Sequence, residues 1–190
     1  PADSFPTPDE LWTKTFKQKN EWIESFNTIP FEFSDPRHTI RFYQEIAVNN
    51  VMQAIAEDTK RILLTLATGT GKTFIAAQIA WKLFKTKWNL KKDKKRSPRI
   101  LFLVDRNILA DQAFLAFGSF SNDALTRIDP TDIRRRGGVP KNATVFFTIY
   151  QTFMTGKNDQ PWFKEYSKDF FDFIIVDECH RGGGNDESAW

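Results

Sequence analysis

In the stretch Ile62-Leu63-Leu64-Thr65-Leu66-Ala67-Thr68-Gly69-Thr70-Gly71-Lys72-Thr73, an apolar run gives way to a loop with two glycines and then to a helix-forming segment. The spacing predicts a strand over Arg61–Ala67 and a helix over Lys72–Trp88. Gly69 and Gly71 let the backbone curl so that its N–H groups point inward, and the helix adds its positive N-terminal end. Such a loop suits a phosphate group: Thr68, Gly69, Thr70, Gly71, Lys72 and Thr73 are the candidate contacts. Lys72 reaches terminal phosphates as a point charge, and the Thr73 hydroxyl suits Mg²⁺.

Outward from this loop, strands and helices alternate. Upstream, residues 42–57 read as a helix. Downstream come a strand at Arg99–Val104, a helix at Asn107–Phe117, and strands at Thr144–Ile149 and Phe173–Asp177. Apolar runs without alternation, such as Ile100–Val104 and Phe173–Val176, suit strands covered on both faces. The alternation predicts an α/β fold, a parallel sheet flanked by helices, with ligands at the carboxyl ends of the strands.

The last of these strands runs into Asp177-Glu178-Cys179-His180. An acidic pair at the tip of a buried strand is costly unless a cation there needs it. Asp177 is the candidate Mg²⁺ holder, together with Thr73. Glu178 is the candidate base for an attacking water, which makes Lys72 and Glu178 the candidate catalytic pair. His180 is read as coupling this site to a second one. Cys179, the single cysteine, reads as a small buried side chain. It excludes an intramolecular disulfide and fits a reducing, cytoplasmic setting.

Three further segments carry polar groups at element ends. In Arg41-Phe42-Tyr43-Gln44, the Gln44 amide offers one donor and one acceptor, matching an adenine edge, and Arg41 can stack on the base or pair near it. Leu103-Val104-Asp105-Arg106-Asn107 leaves a strand and opens a helix, with Asp105 or Asn107 as its cap. Phe147-Thr148-Ile149-Tyr150-Gln151 again sits at a strand tip. Arg106, Thr148 and Gln151 are candidates for gripping a nucleic-acid backbone.

With 190 residues, 41% of them hydrophobic, the chain can build one packed domain plus a short extension. No apolar stretch is long enough to cross a bilayer. Residues 1–36 read as the extension: prolines at 1, 6 and 8, a helix over 9–29 capped by Asp9 and stopped by Pro30, then an aromatic turn over Phe31–Pro36. The net charge of +3 is too small to imply nucleic-acid binding by itself. Lys91, Lys92, Lys94, Lys95 and Arg96 form one basic cluster, and Arg134, Arg135 and Arg136 another. Solvated loops are the simpler reading of both, and contact with DNA phosphates is the alternative.

Taken in order, these segments resemble superfamily 2 helicase motifs Q, I, Ia, Ic and II. Arg41–Gln44, Ala67–Thr73, Leu103–Asn107 and Asp177-Glu-Cys-His-Arg-Gly-Gly-Gly184 look like those of type I restriction endonuclease R subunits. The match covers residues 37–190. Its one departure is Leu66, where the usual phosphate loop opens with Gly. The resemblance implies a first RecA-like motor lobe that uses ATP and Mg²⁺ to pull double-stranded DNA. It implies methyltransferase and specificity subunits as partners, with a second RecA-like lobe and a nuclease domain on the same parent chain. It further implies that the next strand after the acidic box lies between that strand and the phosphate-loop strand. The expectation is therefore an incomplete lobe, weakly active or inactive alone. A DNA repair or remodelling helicase lobe is the alternative within the superfamily, and a nucleotide-gated binding module without turnover is the alternative outside it.

Overall fold

The computed structural model describes residues 7–8, 10–11, 20–33, 39–156 and 160–177, with backbone only at 107, 108 and 112. Four parallel strands form one sheet in the order β2-β3-β1-β4. They are β1 (Ile100–Val104), β2 (Leu125–Arg127), β3 (Val145–Ile149) and β4 (Phe173–Val176). The helices are α1 (Glu21–Asn27), α2 (Phe42–Ala56), α3 (Lys72–Lys85), α4 (Asn107–Ala116), α5 (Pro130–Arg136) and α6 (Tyr150–Met154). This is the α/β, RecA-like architecture that the alternating pattern and the resemblance predict.

Strand alternation divides the core. Ile100, Phe102 and Val104 of β1, with Val145 and Phe147 of β3, face a layer built from α1 to α4. Leu101 and Leu103, with Phe146, face Ile128, Ile133, Trp162, Tyr166 and Phe170. Both faces of β1 are covered, which is why its run carries no polar residue. In β4 only Phe173 and Ile175 pack inward, while Ile174 and Val176 remain 53% and 39% exposed. The continuous apolar run led to an expectation of burial on both faces there. It fails because nothing among the described residues covers the outer face.

The expected strand over Arg61–Ala67 is absent as well. The segment pairs with no strand, and Leu63 is 80% exposed. Between it and β4 lies a cavity of about 260 Å³, lined by Ile62, Leu64, Ile174 and Val176 among others. This is the position where the resemblance implies a further strand. A strand needs a hydrogen-bonded neighbour, and apolar composition cannot supply one.

The expected helix over 9–29 is not continuous. Asn20 has extended backbone, its side chain accepts from Trp22 N, and α1 starts at Glu21. A side-chain acceptor for the first free N–H groups is worth more to the chain than one further helical residue. Asp9, Trp12 and Phe16 lie outside the described residues. α3 ends at Lys85, short of Trp88, because Lys87 turns left-handed at φ 54°. α4 begins after Arg106 without a side-chain cap, and the Asp105 carboxylate lies 3.4 Å from Arg106 instead. Among the described residues no helix is long and apolar enough to cross a membrane.

Candidate functional site

Strand register brings the chemistry to one edge of the sheet. Leu103 pairs with Val176 and Val104 with Ile149, so Asp105, Tyr150 and Asp177 follow three aligned strand tips. Asp177 N donates to Leu103 O at 2.9 Å, which extends the ladder by one residue and holds that backbone against β1. Lys72, the first residue of α3, and Asp177 line the same cavity, together with Leu64 and Val176. Thr73 follows Lys72 in the first turn of α3. A helix leaves its first N–H groups without intrahelical acceptors, so this end of α3 favours an anion.

The loop entering α3 is held from one side by α2. The Gln44 side chain is buried and uses one end of its amide on each neighbour. Nε2 donates to Thr70 O at 2.9 Å, and Oε1 accepts from Arg41 N at 3.1 Å. Tyr43 OH also donates to Thr70 O, and Arg41 donates to Tyr43 OH. Thr70 Oγ1 closes the turn on Ala67 O at 2.7 Å. The Gln44 amide thus keeps one N–H and one carbonyl lone pair for another ligand. Sequence reading offered the whole amide to a base; the structure commits half of it to the loop.

Gly71 stands where the loop and α2 meet. It has φ +85°, and a Cβ placed on it would lie 2.7 Å from Gln44 Nε2. Gly69, at φ +76°, would meet nothing within 4 Å. Gly71→Ala is therefore expected to strain the backbone and displace a side chain pinned by two hydrogen bonds, at a cost of roughly 1–3 kcal/mol. Gly69→Ala carries only the left-handed strain of about 1 kcal/mol. Thermal unfolding of the two variants should rank Gly71→Ala as the more damaging. Equal shifts would show that the Gln44 contact does not constrain the loop.

Other expected contacts divide. Arg106 and Gln151 are exposed at the carboxyl edge. Thr148 is 2% exposed and its hydroxyl donates to Ile128 O at 3.2 Å. It ties β3 to the turn after β2 and cannot reach a DNA backbone, which corrects the expectation for it. The first basic cluster lies at the other end of the sheet, before β1, and is largely engaged. Lys92 pairs with Asp58, Lys94 with Glu21, and Arg96 with buried Asp172. These pairs hold the Glu21 and Asp58 carboxyls below their usual range, chiefly through the hydrogen bonds from Lys94 and Lys92. Arg134, Arg135 and Arg136 are exposed on α5, and Arg135 pairs with Asp132. Glu178, Cys179, His180 and the glycines 182–184 lie outside the described residues.

Sequence reading missed two things here. Tyr43 supports the loop apex, and a second cavity of about 380 Å³ opens on the α2 side of the loop, lined by Phe33, Arg41, Gln44, Thr70, Gly71 and Phe74 among others. The available signal was polar residues four apart, Gln78 and Lys82, inside the apolar run of α3.

A family model described as "Type III restriction enzyme, res subunit" matches residues 37–190. The chain is 38% identical over 195 aligned positions to the type I restriction enzyme EcoAI endonuclease subunit of Escherichia coli, covering 99% of this chain and 22% of that relative. A solved fragment of an HsdR subunit of a type I restriction enzyme from Vibrio vulnificus YJ016 superposes with a TM-score of 0.66 at 39% identity, over 93% of this chain and 28% of that one. A nuclease-deletion mutant of the type ISP restriction-modification enzyme LlaGI, solved with a DNA substrate mimic, gives a TM-score of 0.52 at 25% identity, over 75% of this chain and 15% of that one. The chain thus spans under a third of each of these proteins. On this parallel sheet, with a two-glycine loop opening α3 and these relatives, the chain belongs to the res-subunit family of restriction enzymes and corresponds to the helicase-like region of type I R subunits.

Proposed function

We propose that this chain binds ATP with Mg²⁺ and supplies the first motor lobe by which a type I restriction-modification enzyme moves along duplex DNA. The observation that supports this reading is that Lys72, opening α3, and Asp177, following β4, border the same gap, the one in which a further strand is implied. Residues 68–72 cradle the phosphates, and Lys72 neutralises charge on the terminal ones. Thr73 and Asp177 would hold Mg²⁺ through a hydroxyl and one carboxylate, the hard oxygen donors that suit this ion. No cluster of three acidic, His or Cys side chains occurs among the described residues, and a site of this kind needs none. When bound, the ion supplies charge neutralisation at the phosphates. Gln44 and Arg41 flank the base, Glu178 takes the proton of the attacking water, and His180 passes the nucleotide state to the DNA side. Arg106 and Gln151 are the proposed backbone contacts. Residues 37–190 belong to the lobe, up to and including its acidic box, and 1–36 form an extension. Methyltransferase and specificity subunits, a second lobe and a nuclease domain complete the enzyme, which works in the cytoplasm.

The test is ATP turnover by the full-length protein with and without duplex DNA. Duplex should stimulate turnover, and Glu178→Gln should lower it by about 10²-fold or more while ATP still binds. Undiminished turnover in Glu178→Gln would remove the base from the mechanism. Strand displacement on a forked duplex distinguishes a helicase from a translocase that leaves the strands paired.

A further inference from the structure

The cavity on the α2 side of the phosphate loop is built partly by a segment that carries no recognisable motif. Phe33 lines it, and the Phe33 and Phe74 rings stack with centroids 5.8 Å apart at 24°. Both rings are half-buried, so aromatic surface remains open beside the loop. Phe33 has little structure of its own to hold it there. α3 supplies the hold instead: Gln78 is 3% exposed, accepts from Glu32 N at 2.9 Å and donates to Glu32 O at 2.6 Å. One turn further on, Lys82 Nζ donates to Phe26 O and Ile29 O, and its charge sits 4.7 Å from the Phe31 ring centroid. Phe74, Gln78 and Lys82 thus form one stripe of α3, four residues apart, that fastens residues 26–33 beside the nucleotide loop.

Two buried polar side chains spent on the backbone of a short irregular segment are costly as mere packing, since apolar residues would fill the same face. They are accounted for if the position of Phe33 matters. The cavity of about 380 Å³ joins three features: an aromatic wall, the unspent half of the Gln44 amide, and the loop apex at Thr70 and Gly71. A planar, polarisable ring attached to a phosphate chain fits that combination.

Resting on the ATP reading above, we infer that Phe33 is the platform for the nucleobase and that Gln78 is a positioning residue acting through the Glu32 backbone. The extension is then part of the nucleotide site. Base binding and the ordering of residues 26–33 favour one another reciprocally.

The experiment measures equilibrium binding of ATP and of inorganic tripolyphosphate to the full-length protein. Phe33→Ala and the volume-keeping Phe33→Leu should each weaken ATP about tenfold and leave tripolyphosphate unchanged, while Phe33→Tyr restores ATP affinity. Gln78→Met should reproduce the ATP-selective loss. In hydrogen exchange, ATP should protect residues 26–33 of the wild type and tripolyphosphate should not. Unchanged ATP affinity in both Phe33→Ala and Phe33→Leu, or parallel losses for ATP and tripolyphosphate, overturns the inference while the ATP reading stands. A wild type that binds neither ligand overturns both.

Discussion

Lys72→Ala in the full-length protein should eliminate DNA-stimulated ATP turnover, with a loss of roughly 10²–10³-fold or more. Two features place this effect among the largest expected. Lys72 and Asp177 border the same gap between the Arg61–Ala67 segment and β4, which brings the start of α3 and the tip of β4 to one region. It also opens α3, where the helix end already favours negative charge, so its ammonium adds to a field it does not create alone. Residual binding should therefore survive: the loop N–H groups and the proposed base contacts are untouched, and ATP affinity should fall less than turnover. The comparison with Gly71→Ala separates charge from shape. Lys72→Ala should leave the melting temperature nearly unchanged, whereas Gly71→Ala should lower it. Turnover within threefold of wild type in Lys72→Ala would break the link between the phosphate loop and chemistry.

The parts legible in the sequence are those with local causes. Gly69 and Gly71 announce a loop because of their backbone freedom, and both take positive φ. The unbroken apolar run Ile100–Val104 announces a strand covered on two faces, and both faces are covered. What was not legible depends on partners distant in sequence. Arg61–Ala67 has the composition of a strand but no neighbour to pair with. Ile174 and Val176 are as apolar as the residues of β1 yet stay exposed. β2 is only three residues long, and its threonine and arginine give no apolar signal. Thr148 looked available because strand tips usually are, but the turn at Ile128 closes over it. The placement of Phe33 depends on contacts distant in sequence: Gln78, 45 positions later, bonds its neighbour Glu32, and Phe74 stacks on its ring. The same limit applies to the first basic cluster, whose charges cannot be counted toward DNA binding until their partners Asp58, Glu21 and Asp172 are known.

Asp172→Ala is the substitution expected to cost the fold most. The carboxylate is buried directly before β4 and accepts four hydrogen bonds: two from Arg96, at 2.5 and 2.8 Å, one from Leu90 N at 3.0 Å, and one from Arg99 N at 2.8 Å. Its own backbone N–H donates to Arg99 O. One side chain thus joins the basic loop to the starts of β1 and β4. The pairing holds the Arg96 guanidinium above even its ordinary high range, the hydrogen bonds from Arg96 to Asp172 being the main cause. Deleting the acid leaves a half-buried guanidinium and two N–H groups without their acceptor. Removing one partner of such a buried pair costs about 3–5 kcal/mol. For a chain of this size that corresponds to a melting temperature lower by roughly 6–20 °C. Asp172→Asn keeps an acceptor oxygen and should lose about half as much. Since this corner lies at the amino ends of the strands and the nucleotide loop at their carboxyl ends, the folded fraction of Asp172→Asn should bind ATP as the wild type does. Thermal unfolding of the chain, followed by circular dichroism, reads the effect directly. A shift under about 3 °C for Asp172→Ala would mean that the loop is held by Lys92 and Lys94 instead, and that the buried acid is dispensable.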